Sequence, residues 1–443
     1  MKLKQALEEI TGPDTVFINK AQARLDNLTK PLGSLGRLED IVKQIVGITG
    51  TIGKTSTREA VKHLLSKKYN VYAPSGSLNT EIGVPLAVIG TKSPDNILNI
   101  FSWLKIFALG LKRAYAEDYP KILILEMGVD RPHDMDWLIS FVKPRISVVT
   151  AITPANLGFF NSVAEVEKEK LKILEATREL AIVNEDLVKI KKSSVPVLLY
   201  GKNGEVSFKD PKISVNGSRF KVVLGKKSAE FDTKTIANSS IYAILAAVAV
   251  GYKYDFSLEE MAVFFKDFRP YNGRMNPLKG INDSFIIDDS YNSSPESAKA
   301  ALRTVQGFVG RKVLVLGGMN ELGKFSKDAH QEIGALVCHV ADILVTVGKD
   351  ANDFMAEEAL KSGLKPERLF KFKGAREAGK FLADQVKPGD IVLVKGSQDG
   401  IFLEEAVEQI LKDKKDIKYL VRQSDFWHVA KDKFFRYLDE KSK

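Results

Sequence analysis

The segment GITGTIGKTST, residues 47–57, carries the most chemistry per residue in this chain. Gly50 and Gly53 precede Lys54, Thr55 and Ser56 at the junction between a short apolar run and a helical pattern. Glycines there let successive backbone N–H groups turn inward around an anion, and a helix N-terminus adds partial positive charge. Lys54 can reach the β- and γ-phosphates of a nucleotide, and the Thr55 hydroxyl can bind Mg²⁺. The strict spacing G-x-x-x-x-G-K-[ST] fails once, because Ile48 stands where its first glycine would be. Two further residues join this set. Glu126 closes the apolar run KILILEM, which places a carboxylate at the C-terminal rim of a strand, where parallel sheets bind ligands and where an oxygen donor suits Mg²⁺. In SVAEVEKEKLKILEA, Lys170 shares a helical face with Val163, Val166, Ile173 and Leu174, whereas Lys168 and Lys172 point the other way. An ammonium on a buried stripe is costly, so Lys170 either snorkels to the surface or has a partner there.

Alternating strand and helix signals must position these groups. QIVGIT, KILILEM, RISVVTAI, LAIVNED and VPVLLYG read as strands with helices between them, the grammar of a parallel sheet covered by helices. The stretch from Gly204 to Thr233 alternates with period two and predicts an antiparallel edge. A second α/β series follows RPYNGRMNP, with strands SFIIDD, KVLVLGG, DILVTVG and DIVLVKG. The expected fold is α/β: a short helical N-terminal segment over 1–44, a central P-loop ATPase domain over 45–272, and a Rossmann-like domain over 273–443.

The chain has 443 residues, enough for two or three domains, and 44% hydrophobic with 28% charged residues is a globular composition. A net charge of +10 from dispersed lysines fits an enzyme for phosphorylated substrates better than a nucleic-acid binder, since no basic stripe with interleaved aromatics is present. One cysteine, Cys338, excludes an intramolecular disulfide framework and suits a reducing cytoplasm. The longest apolar run, IYAILAAVAVGY, is too short to span a bilayer and reads as a buried helix, and the N-terminus lacks a signal-peptide core.

TGTIGKTST resembles the T-G-[TS]-x-G-K-[TS]-[TS] loop of the Mur ligases, ATP-dependent amide ligases of peptidoglycan precursor synthesis. Further segments resemble the family in its own order: LNTEIGVPLAVIG, LILEMGVDRPHDM, GRMNPL, IIDDSYNSSPESAKAAL, VLGGMNELG and VLVKGSQDG. The D-D-S-Y-N and M-N-E-L-G forms are similar to the branch that adds D-alanyl-D-alanine to UDP-N-acetylmuramoyl-tripeptide. The resemblance implies ATP held by Gly50, Thr51, Gly53, Lys54, Thr55 and Ser56, with Arg274, Asp289, Tyr291 and Asn292 lining the nucleotide cleft. It implies two Mg²⁺ ions on Thr55, Glu126, a carbamylated Lys170 and Asn156, and it places Asn79, Lys395 and Ser397 near substrate. The chemistry implied is transfer of the γ-phosphate to a carboxylate, followed by attack of an amine on the acyl phosphate. The implied partners are small molecules, a UDP-muramoyl-peptide and D-Ala-D-Ala, with the chain a cytoplasmic monomer.

Three features depart from the family pattern. Asn156 occupies a position usually held by a metal-binding histidine, and Ala243 one usually held by an asparagine near adenine. His133 reads as a helix-cap residue rather than a substitute ligand. The family also carries a UDP-gripping domain before its phosphate loop, whereas here the loop begins by residue 50. In its place, QARLDNLTKPLGSLGRLEDIVKQIVGI resembles the N-terminal segment of nicotinate-nucleotide–dimethylbenzimidazole phosphoribosyltransferases. That stretch reads as a helical hairpin in which Pro31 and Gly33 stop one helix and Ser34 caps the next, whose apolar face is Leu35, Leu38, Ile41, Val42 and Ile45. The readings left open are the muramoyl-peptide ligase, a related amide ligase with an acid that is not UDP-linked, and a nucleotide-binding scaffold impaired in catalysis.

Overall fold

The computed structural model describes residues 44–74, 83–91, 100–114, 120–153, 160, 162–190, 192–398 and 400–440. The expected N-terminal hairpin, Asn79 and Asn156 lie outside the described residues. Ile45, assigned above to the hairpin's apolar face, instead opens the first strand.

The first sheet contains nine strands: β1 (Ile45–Thr49), β2 (Val71–Tyr72), β3 (Ile122–Glu126), β4 (Ile146–Val149), β5 (Leu180–Asn184), β6 (Val197–Gly201), β7 (Val206–Ser214), β8 (Gly217–Leu224) and β9 (Lys227–Thr233). Their spatial order is β2-β3-β1-β4-β5-β6-β7-β8-β9. Pairing is parallel as far as β7, and β7, β8 and β9 form the expected antiparallel edge. The longer helices are α1 (Lys54–Leu65), α2 (Gly83–Ile89), α3 (Ile100–Ala114), α4 (Asp134–Phe141), α5 (Val163–Leu171), α6 (Asn238–Lys253) and α7 (Leu258–Phe265), and a single turn over Ile173–Ala176 follows α5. Strands covered on both faces need no polar side, which is why β1, β3 and β4 read as unbroken apolar runs and are buried throughout. Alternate residues serve opposite layers. Val46 and Ile48 pack with Ala60, Leu64 and the α6 residues Ile241–Val250, whereas Ile45, Leu123 and Leu125 pack with Val84, Met135, Leu138 and Val166. Helix α6 is apolar around most of its girth because it is enclosed, as IYAILAAVAVGY predicts. No helix among the described residues is long and apolar enough to cross a membrane.

The second sheet has six strands: β10 (Asn276–Lys279), β11 (Phe285–Asp289), β12 (Lys312–Gly317), β13 (Ile343–Val347), β14 (Leu369–Phe372) and β15 (Ile391–Lys395), in the order β10-β11-β15-β12-β13-β14. Only β10 runs antiparallel. Helices α8 (Pro295–Gln306), α9 (Ser326–Val337), α10 (Ala356–Lys361), α11 (Ala375–Gln385), α12 (Glu404–Gln409) and α13 (Asp425–Glu440) accompany it. A Ser294–Ser297 capping box starts α8 directly after the β11 loop, so the residues between strand and helix are fixed at both ends. Ile236, Ala237 and Ile213 from the first unit share a core with Met275 and Ile287 of the second.

Candidate active site at two facing sheet edges

In both sheets the candidate residues sit at C-terminal strand ends. The first sheet reverses its direction of growth at β1, and such a switch point opens a crevice between neighbouring strand ends. The loop after β1 lies there. Gly50 has φ 141 and Gly53 φ 90, a region that favours glycine. A Cβ on Gly50 would meet Thr150 Oγ1 at 2.1 Å, so the close approach to the β4 end also requires glycine. Thr51 N–H donates to Ala151 O at 2.6 Å, and Thr150 Oγ1 donates to Ile52 O at 2.6 Å, fastening the loop to the neighbouring strand end.

Lys54 opens α1 and folds back over its own loop, donating to Gly50 O at 2.8 Å and Thr51 O at 3.3 Å. Burial lowers its pKa and Arg274 adds to this, against the raising effect of Glu126 and Asp130. Thr55 Oγ1 lies 3.4 Å from Glu126 Oε2. The other carboxylate oxygen, Oε1, lies 2.9 Å from Arg58 Nη1 in an ion pair whose angle leaves that buried oxygen without a hydrogen bond. Burial opposes the charge on Arg58, but Glu126 and Glu59 outweigh it and raise the pKa. Sequence reasoning missed Arg58. Its signal was present, since it falls one helical turn after Lys54 between the apolar positions of α1.

Lys170 is 2% exposed and donates to Val129 O at 3.1 Å. Burial, reinforced by the nearby Lys54, lowers its pKa to about 7 against the carboxylates of Asp130, Asp134 and Glu169. The face predicted for it holds: Val166 and Lys170 are buried, while Lys168 is exposed. Lys172 is tied to Glu169 at 2.7 Å and Asp136 at 2.6 Å. Glu169 Oε1 accepts from Met135 N–H at 3.0 Å, so α4 and α5 hold each other beside the β3 end. His133 takes the N-cap position of α4 with φ 74 without a side-chain cap hydrogen bond, and its exposed Nδ1 lies 2.9 Å from Asp136 Oδ2.

The second sheet brings Asp289, Lys395 and Ser397 together. Asp289 and Lys395 are register partners on β11 and β15, and Lys395 Nζ lies 2.7 Å from Asp289 Oδ2 and 3.0 Å from Asn292 O. Lys395 is therefore an internal strut in this arrangement, and its burial lowers its pKa. Ser397 Oγ donates to Ser293 O at 3.2 Å and accepts from Asn320 N–H at 2.9 Å. Asp289 Oδ1 accepts from Met275 N–H at 3.1 Å, which fixes the backbone beside Arg274. The Arg274 guanidinium lies 4.3 Å from the centre of the Tyr291 ring, and its buried Nε has no hydrogen-bond partner. Arg274 and Lys54 come from opposite units, and Arg274 is near enough to help lower the Lys54 pKa. Ala243 is buried in the first core and offers no polar atom.

A phosphate fits the loop, whose glycines, helix start and folded-back lysine form a cradle. Mg²⁺ fits as well. Thr55 Oγ1 and the neighbouring Oε2 of Glu126 supply hard oxygen donors, and Mg²⁺ completes its shell with phosphate oxygens and water. Among the described residues no group of three or more His, Cys, Asp or Glu side chains has the geometry to hold a metal ion.

Residues 48–251 match the Mur ligase middle domain, and residues 273–398 match the Mur ligase glutamate ligase domain. This chain belongs to the Mur ligase family. A phosphoribosyltransferase family also matches residues 10–65, a stretch that runs through β1 and α1. Among curated proteins, the UDP-N-acetylmuramoyl-tripeptide–D-alanyl-D-alanine ligase of Bacillus subtilis is 26% identical over 405 residues, covering 89% of this chain and 82% of the relative. The MurF ligase from Thermotoga maritima in complex with ADP aligns with a TM-score of 0.70 and 25% identity, covering 89% of this chain and 84% of that one. A MurF structure from Acinetobacter baumannii aligns with a TM-score of 0.69 and 23% identity, covering 85% and 79%. The fold expected from sequence is thus that of a Mur ligase.

Proposed function

We propose that this chain is an ATP-dependent, ADP-forming ligase that joins D-alanyl-D-alanine to UDP-N-acetylmuramoyl-tripeptide. The observation that carries this reading is the phosphate loop with its Thr55–Glu126 pair, set in a chain that spans most of a relative named for that reaction.

The loop amides and the start of α1 bind the triphosphate, and Lys54 exchanges its contacts with Gly50 O and Thr51 O for phosphate oxygens. Thr55 and Glu126 hold Mg²⁺, which when bound neutralises charge on the transferring phosphoryl group. A carboxylate oxygen of the tripeptide attacks the γ-phosphorus and the bond to ADP breaks. The dipeptide amine then attacks the carbonyl carbon, loses a proton, and expels inorganic phosphate that carries the former carboxylate oxygen. A pKa of about 7 leaves the Lys170 amine substantially neutral at neutral pH, the form that adds carbon dioxide. Addition of carbon dioxide to that neutral amine, with release of one proton, would place an anion beside Lys54, and the carbamate would join Thr55 and Glu126 as a metal ligand. Arg274, stacked on Tyr291, faces the phosphate loop from the other sheet and supplies positive charge when the two edges close on the nucleotide. Lys395 acts through Asp289 and Asn292, positioning the cleft wall, with Ser397 beside it at the substrate edge. We read residues 45–272 and 273–443 as the two domains that close, and the chain as a cytoplasmic monomer acting on small molecules.

The test is a reaction of the full chain with ATP, Mg²⁺, UDP-N-acetylmuramoyl-tripeptide and D-Ala-D-Ala. Phosphate release that requires both the tripeptide and the dipeptide, with the pentapeptide product seen by mass, supports the reading. ATP turnover indifferent to the dipeptide refutes it.

A further inference from the structure

The second sheet holds a buried histidine that the proposed mechanism does not use. His330 lies on α9, is 0% exposed, and sits under the loop after β12. Its Nε2 is 2.9 Å from Met319 N–H and its Nδ1 is 2.7 Å from Ser326 O. An amide N–H can only donate and a carbonyl can only accept. Both contacts are therefore satisfied by one state, the neutral ring with hydrogen on Nδ1. Ser326 is itself anchored, donating from Oγ to Asp350 Oδ2 at 2.6 Å. Asp350, from the turn after β13, is the charged group that faces this ring. Burial lowers the pKa of the imidazole, in keeping with a ring held neutral.

The segment that His330 supports is strained and joins the other rim loops. Glu321 has φ 66, costly for a residue with a Cβ. Next to Met319, Asn320 N–H donates to Ser397 Oγ at 2.9 Å, and Ser397 N–H donates to Gly318 O at 3.0 Å. Ser397 Oγ in turn reaches Ser293 O at 3.2 Å, within the loop that carries Tyr291 and Asn292. Three loops, after β11, β12 and β15, are thus joined into one rim, and the middle one rests on a side-chain acceptor from below.

We propose that His330 is a positioning residue that holds Met319 and Asn320 in the substrate rim through the bare Nε2 of its Nδ1–H tautomer. This inference rests on the reading of the rim as the substrate edge of the ligase. Glutamine places a neutral acceptor near the Nε2 position. Asparagine is too short to reach Met319 and replaces only the Nδ1–H donor. H330Q and H330N therefore separate the acceptor function from simple filling of space.

Two readouts are taken on the full chain, after thermal melts establish that both variants fold. Amide hydrogen exchange at residues 318–321 is expected to be at least about tenfold faster in H330N than in wild type, with H330Q close to wild type. The value of kcat/KM for the dipeptide is expected to fall at least about tenfold in H330N and to recover most of the loss in H330Q. Equal behaviour of the two variants in both readouts overturns the proposal. Faster exchange in H330N with wild-type kcat/KM also overturns it, by leaving the histidine a merely structural prop. If the wild type shows no ligase turnover, the proposed function fails, and with it any role of His330 in positioning substrate; the exchange arm still decides whether His330 holds the loop.

Discussion

Replacing Arg58 by methionine removes the counter-charge of a carboxylate that cannot otherwise escape burial. The two side chains are 1% and 5% exposed and 2.9 Å apart. Removing one member of a buried ion pair costs about 3–5 kcal/mol, because the remaining charge stays desolvated. Arg58 and Glu126 do not suffer equally. Without Glu126, Arg58 keeps Glu59 at 2.8 Å, whereas without Arg58, Glu126 keeps the Thr55 hydroxyl at 3.4 Å and the more distant charge of Lys54. R58M should therefore lose about 3–4 kcal/mol, E126Q about half of that, and the double variant should be less impaired than R58M alone. For a unit of this size R58M should lower the melting temperature of the first domain by roughly 6–15 °C. The assay is urea unfolding of wild type, both single variants and the double variant, repeated with millimolar Mg²⁺ and ADP. A bound cation takes over part of the role of Arg58, so ligands should restore R58M more than they stabilise wild type. R58M within 1 kcal/mol of wild type, or a double variant at the sum of the singles, would mean that Glu126 does not depend on Arg58 for its counter-charge.

Three further outcomes follow from the same geometry. G50A should weaken ADP binding at least about tenfold by equilibrium titration, since its methyl group would overlap Thr150 Oγ1 at 2.1 Å in a backbone conformation that L-residues avoid. Asp288 is fully buried and burial pushes its carboxyl up to about 7, from 3.8, a difference worth on the order of 4 kcal/mol. A raised carboxyl contributes stability below pH 3.8 that is lost as pH rises through about 7, so D288N should match wild type near pH 4 and exceed it by a few kcal/mol at pH 8, read by chemical unfolding. Lys170, lowered to about 7, binds its proton more weakly folded than unfolded, so the stability it contributes rises from about pH 7 towards 10.5. K170M should therefore be more stable than wild type at pH 6.5 and lose that advantage by pH 10, while native mass spectra in bicarbonate should show a carbon dioxide adduct on wild type and none on K170M.

The parallel sheets were legible because their strands are buried on both faces and so read as plain apolar runs, as in ILILE and IVLVK. The antiparallel edge was legible from the period-two alternation of β8, which burial repeats. Edge strand β10 was not, because Asn-Pro-Leu-Lys lacks both signals, and its proline is tolerated only because an edge has a free side. Helix α3 also passed unread, although its apolar residues are spaced for a helix; Ile100 and Leu104 on it are exposed. In the site, the loop glycines, Lys54 and Glu126 announced themselves by type and by strand end. The pairings Arg58–Glu126 and Lys395–Asp289 did not, because they arise from the adjacency of β1 with β3 and of β11 with β15, which no local pattern encodes. His330 was silent for the same reason: its partner amide belongs to a different element.

The central claim is that this chain activates a carboxylate with ATP and passes it to an amine. The most direct measurement labels the terminal carboxylate of UDP-N-acetylmuramoyl-tripeptide with ¹⁸O and follows the label through a complete reaction with ATP, Mg²⁺ and D-Ala-D-Ala. Passage through an acyl phosphate puts one ¹⁸O in each inorganic phosphate released and leaves the other in the pentapeptide product. Unlabelled phosphate, or phosphate released without pentapeptide, would contradict it.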